Sequence, residues 1–205
     1  MKEKLKNKKS LLLIGGIIVI SLFVFIIIMV TKKPTEDPDA IKFSQEYTEV
    51  GEDNIYVYRT YDELIKILEN GTGVVLLGFP ECQWCQRYAV YLNEVAKELD
   101  FEKIYYYNIL EDRKNNTVEY QKIVSTIEEY LHFDEEGNKR IYVPSVIALN
   151  QGEIVGFDDE TAWDTKGFST PDEYWNDEAV SNLKDRLETM LIKANPNMCS
   201  SCDED

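Results

Sequence analysis

The stretch Val74-Val75-Leu76-Leu77-Gly78-Phe79-Pro80-Glu81-Cys82-Gln83-Trp84-Cys85-Gln86 decides how the rest of the chain is read. Its first four residues form an apolar run of the kind that makes a short buried strand. Beyond it, Cys85, Tyr88, Leu92, Val95, Ala96 and Leu99 recur at steps of three or four, which predicts a helix. Cys82 and Cys85 therefore stand at a strand-to-helix junction, with Cys82 at the helix start. Unpaired backbone N–H groups and the positive end of the helix dipole stabilise a thiolate there. A dithiol placed this way suits disulfide exchange. Cys82 would attack, and Cys85, one turn further in, would resolve the mixed disulfide.

The N-terminal end of the chain has a different character. Lys2, Lys4, Lys6, Lys8 and Lys9 precede twenty apolar or small residues, 11–30, and Lys32 and Lys33 follow them. Twenty helical residues at about 1.5 Å each match a hydrocarbon core of roughly 30 Å. A cleaved signal peptide has a shorter apolar region, about 7–15 residues, ending in a small-x-small site. Met29-Val30-Thr31-Lys32-Lys33-Pro34 offers no such site. The expectation is a cytoplasmic N-terminus (1–10), a transmembrane anchor over 11–31 and everything after it outside the cytoplasm. The five lysines before the span, against two after it, set that orientation.

Residues 1–33 hold seven of the 22 Lys and Arg but one of the 38 Asp and Glu, leaving 15 basic residues against 37 acidic ones. A domain so acidic repels nucleic acid and anionic lipid, so neither is expected as a partner. Its four cysteines fall into two Cys-x-x-Cys pairs with none left over. Outside the cytoplasm such pairs can cycle through disulfides.

Taken in order, residues 32–52 are polar, with Pro34 and Pro38, and read as a linker. A coil of about 20 residues reaches near 25 Å. One domain is expected over 53–195. The pattern predicts a strand at Asn54-Ile55-Tyr56-Val57-Tyr58, a helix from Tyr61 ended by Asn70-Gly71, and the strand and helix around the dithiol. A strand at 103–109, a helix over 117–131 and a charged loop with Gly137 come next. A hairpin turning at Asn150-Gln151-Gly152 and a last helix over 171–194 complete it. The order implies an α/β domain whose sheet starts parallel and finishes antiparallel, flanked by helices. The acidic tail, 196–205, carries Cys199 and Cys202. No Gly-rich phosphate loop is visible, and no cofactor or metal is expected.

That order, with Cys82-Gln83-Trp84-Cys85 after a strand and Val143-Pro144-Ser145 opening the hairpin, resembles the thioredoxin superfamily over roughly residues 54–194. The segments Tyr105-Tyr106-Tyr107-Asn108 and Tyr142-Val143-Pro144-Ser145-Val146 look like those of small membrane-anchored bacterial members, including bacteriocin transport accessory proteins. The resemblance implies a thioredoxin-like mixed sheet with Pro144 cis against the dithiol. It also implies that Val143 offers its backbone to an extended substrate. Two departures stand out. The buried Asp that accepts a proton in thioredoxin, six residues before the first cysteine, is Leu76 here, and the Trp before that cysteine is Glu81. An adjacent carboxylate works against the Cys82 thiolate while the helix start works for it, so the direction of electron flow stays open.

The chain is thus expected to be a membrane-tethered thiol–disulfide oxidoreductase acting on protein thiols and disulfides. Cys82 and Cys85 are its catalytic residues, and Trp84, Val143 and Pro144 are candidates for substrate contact. Cys199 and Cys202 are a candidate second redox pair that relays electrons. Other readings stand beside these: a permanent local disulfide, a zinc site joining the two cysteine pairs, or a non-catalytic accessory protein for peptide export. Trp163 and Phe168 are candidates for a lid or for packing on the last helix, and His132, the sole histidine, for a helix end.

Overall fold

The computed structural model describes residues 37–159 and 167–195. The expected membrane span, the first five residues of the expected linker, Trp163 and the pair Cys199/Cys202 lie outside them. Among the described residues no helix is long and apolar enough to cross a membrane.

The apolar run forms strand β2, Gly73–Gly78, in the middle of a five-stranded sheet. Strand period 2 sends its side chains alternately to the two faces. Val74 and Leu76 enter one core layer, and Val75 and Leu77 the other. Burial on both faces explains why the stretch reads as an unbroken apolar run. Strand β1 (Tyr56–Tyr58) and strand β3 (Ile104–Asn108) run parallel to β2 on one side. On its other side β6 (Ser145–Asn150) pairs antiparallel with β2, and β7 (Glu153–Asp158) pairs antiparallel with β6. The sheet order is β1-β3-β2-β6-β7, the parallel start and antiparallel finish that the sequence predicts.

Helices flank the sheet. The helix expected from Tyr61 is α2, Tyr61–Asn70, opened by a capping box in which Thr60 and Glu63 satisfy each other's backbone N–H groups. The dithiol helix is α3, Gln83–Glu98. Between β3 and the predicted helix lies a short helix not foreseen, α4 (Leu110–Asn115), ending on Asn116 in the left-handed conformation. It is followed by α5 (Val118–Thr126) and a single 3-10 turn, Glu128–Tyr130. The charged loop is a small hairpin, β4 (His132–Phe133) paired with β5 (Lys139–Arg140). His132 is thus a strand residue, not a helix end. The last helix is two helices, α6 (Pro171–Tyr174) and α7 (Asp177–Ala194). Asn176 separates them by capping the second, its side chain accepting from the Ala179 N–H at 3.0 Å.

The expected linker needs the largest correction. Its middle is helix α1, Pro38–Glu46, with proline at the first helical position and Asp39 in the first turn, both favourable there. Ala40, Phe43 and the following Tyr47 are buried. Phe43 stacks on Tyr56 with ring centroids 3.8 Å apart and on Tyr47 at 4.2 Å. Asp39 Oδ2 accepts from the Tyr58 N–H at 3.0 Å and so caps a backbone donor of β1. The segment is polar in composition because only one stripe of it is buried.

Candidate active site

Cys82 is the N-cap of α3, and its Sγ accepts from the Cys85 N–H at 3.2 Å. Strand β2 ends at Gly78, and Phe79-Pro80-Glu81 carry the chain round to the helix. The Cys82 N–H donates to the Phe79 carbonyl at 3.2 Å, closing that turn. Cys85, three residues on, points inward and is fully buried, whereas Cys82 keeps part of its surface. One sulfur can meet a partner and the other can reach only its neighbour.

The electrostatics divide in the same way. The Cys85 thiol beside it, then the N–H groups of Cys85 and Trp84 and the charge of Arg113, hold the Cys82 thiol below its ordinary value against the opposing effect of burial. Burial, and then the neighbouring Cys82, push the Cys85 thiol well up. Glu81 is exposed and is not among the main influences on Cys82. The predicted contest between helix start and carboxylate therefore goes to the thiolate.

Val143 and Pro144 come to the dithiol from the segment before β6. Their peptide bond is cis, and the Val143 carbonyl oxygen is 3.9 Å from Cys82 Sγ. Trp84 joins an aromatic cluster formed by Tyr174 of α6 and the following Trp175. Its ring meets Tyr174 and Trp175 edge-on at 5.5 and 5.7 Å, so part of its surface is committed to packing. Phe168 packs edge-on against the same Tyr174 at 5.8 Å. Among the described residues no three His, Cys, Asp or Glu side chains come together as a metal ion would require.

Arg113, on the unforeseen α4, is the first residue that sequence reasoning missed. Its guanidinium lies 4.9 Å from the centre of the Phe79 ring and donates to the Ile141 carbonyl at 3.4 Å. It also borders a groove of about 720 Å³ between α5 and the β4–β5 hairpin. Tyr47 and Tyr106 are the second omission. Leu76, at the position of the expected acid, is buried. Its neighbour across the ladder is Tyr106, whose hydroxyl accepts from that of Tyr47 at 3.1 Å. Both phenols sit in the core layer that holds Cys85. The apolar spacing of Phe43 and Tyr47 after Pro38 was the one available signal for this arrangement.

No protein-family model matches the chain, and a search of curated proteins finds no match either.

Proposed function

We propose that this chain is a thiol–disulfide oxidoreductase of the thioredoxin superfamily, working through Cys82 and Cys85 and tethered outside the cytoplasm by residues 11–31. The observation that carries the reading is the asymmetry of the dithiol. A half-exposed sulfur with a lowered pKa caps a helix, and its partner three residues on is buried with a raised one. A structural disulfide has no use for that division, whereas exchange needs an entering sulfur and a resolving one. The cis peptide before Pro144 and the Val143 carbonyl beside Cys82 support an extended substrate lying there and pairing with that backbone.

In the reducing direction, Cys82 Sγ⁻ attacks one sulfur of a substrate disulfide, and the other substrate sulfur leaves as thiolate. Cys85 then attacks Cys82 Sγ, the bond to the substrate breaks, and the second substrate sulfur leaves with the electron pair. The protein ends as the Cys82–Cys85 disulfide. Oxidation of a substrate dithiol is the same sequence reversed.

The test is turnover of a protein disulfide or dithiol by the full-length chain in detergent. Cys82→Ser abolishes it, and Cys85→Ser accumulates mixed disulfides visible on a non-reducing gel. Failure of the wild-type chain in both directions would overturn the proposal. Full function in cells of the Cys82→Ser/Cys85→Ser double variant would favour a non-catalytic accessory role instead.

A further inference from the structure

Before Cys85 can attack, its thiol must lose a proton, and its surroundings oppose this. The sulfur is fully buried, and the strand residue placed to hold an acid is Leu76. The Phe79 N–H and Arg113 favour the thiolate but take up no proton, and the hydroxyls in the same core layer belong to phenols. Tyr47 arrives just after α1 and is itself fully buried, with its hydroxyl donating to that of Tyr106 on β3. Gly78 shows where the two reactive groups stand. A β-carbon built on it would lie 3.3 Å from Tyr47 Oη and 3.4 Å from Cys85 Sγ. The hydroxyl and the thiol thus both border the space that the missing side chain leaves open.

We propose that Tyr47, acting with Tyr106, carries the proton away from Cys85 in the resolving step, in place of an acid on β2. The inference rests on the exchange reading above. As the Cys85–Cys82 bond forms, the Cys85 proton passes to Tyr47 Oη while the proton of Tyr47 passes to Tyr106 Oη and that of Tyr106 moves outward. No phenolate accumulates, which fits two hydroxyls whose ionisation burial holds well above the ordinary range. The groups facing Tyr47 are Tyr106, Cys85 and Tyr56. The carboxylates of Glu46 and Glu81 act on Tyr106 through space. Glu81 is exposed and Glu46 partly so, and either can hand the proton to water. The electron pair leaves on the substrate sulfur, and no further oxidant or reductant enters the step.

A two-phase thiol titration of the full-length chain tests this. The background carries Cys199→Ser and Cys202→Ser, so that only the dithiol reacts. With 5,5′-dithiobis(2-nitrobenzoate), the first release of coloured thiolate reports attack by Cys82, and the second reports resolution by Cys85. In Tyr47→Phe the first phase is expected to be unchanged and the second slower by on the order of a hundredfold, as for loss of one proton-transfer group. The solvent deuterium isotope effect on the second phase changes with it. Gly78→Ala, which keeps both phenols but puts a methyl 3.3 Å from the hydroxyl and 3.4 Å from the thiol, slows the second phase too and decides the matter should Tyr47→Phe fold poorly. Tyr56→Phe, whose hydroxyl bonds the Ala89 carbonyl at 2.8 Å instead, leaves the second phase alone.

A second phase as fast as wild type in both Tyr47→Phe and Gly78→Ala overturns the relay, and so does equal slowing in Tyr56→Phe. A wild-type chain that shows no second phase overturns the exchange reading itself, a different result.

Discussion

The two faces of the central sheet are built from different materials. On the face covered by α1, α3 and α7 the largest fully buried side chains are Tyr47, Tyr56, Tyr88 and Tyr106, with Phe43 among them. On the face covered by α2 and α5 they are aliphatic, including Leu64, Leu68, Leu77 and Ile123, and the one buried phenol there, Tyr120, accepts from the Ile141 N–H. The aliphatic layer excludes water and, among its fully buried side chains, is mostly free of hydroxyls. The aromatic layer excludes water and also threads hydroxyls through the interior, since each buried phenol must keep a hydrogen-bond partner. Cys85 belongs to the second kind of layer. In the proposed exchange, the buried thiol thus shares its layer with hydroxyls that can pass a proton without carrying a charge.

Cutting each layer by one large side chain tests the contrast most severely. Phe43→Ala is expected to lose about 3–5 kcal/mol of stability and Leu68→Ala about 2–5 kcal/mol, both read from denaturant midpoints. Only Phe43→Ala should also slow resolution by Cys85, because Phe43 stacks directly on Tyr47. Equal slowing in the two variants would break the distinction between the faces. Arg113→Ala sharpens it from the other side, since Arg113 rests on Phe79 of the aliphatic layer. Removing that cation raises the Cys82 pKa, so the pH profile of Cys82 alkylation moves to higher pH. The reduced form loses stabilisation, so the reduction potential falls, by about 10–30 mV. An unmoved profile would mean that the hydrogen bonds of the helix start suffice. The smallest effect belongs to Thr60→Ala, which removes the α2 capping box far from the dithiol. It should cost about 1 kcal/mol and leave alkylation and exchange rates alone.

The sequence disclosed the dithiol junction, the succession of strands and helices and the hairpin, because each depends on short-range patterns: an apolar run, a 3.6-residue stripe, a Gly-containing turn. It hid α1, because Asp37-Pro38-Asp39 and the surrounding acidic residues suggest a linker and only Ala40, Phe43 and Tyr47 reveal the buried stripe. It hid α4, since Leu110–Asn115 is too short for a periodic signal and none of its residues is buried. The site suffered accordingly. Cys82, Cys85, Val143 and Pro144 could be named from the sequence. Tyr47, Tyr106 and Arg113 reach the dithiol only through tertiary packing that no local pattern encodes.

Helix α1 has a practical consequence for anyone dividing this protein into parts. The compact unit begins at Pro38, not after the acidic stretch where composition places it. A version trimmed to the first strand would open the slot in which Phe43 stacks and strip Tyr106 of its partner. It would retain the whole sheet and both cysteines of the dithiol. Under the proposed relay such a fragment would carry the motif without its chemistry, and its silence in an assay would say nothing about the intact chain.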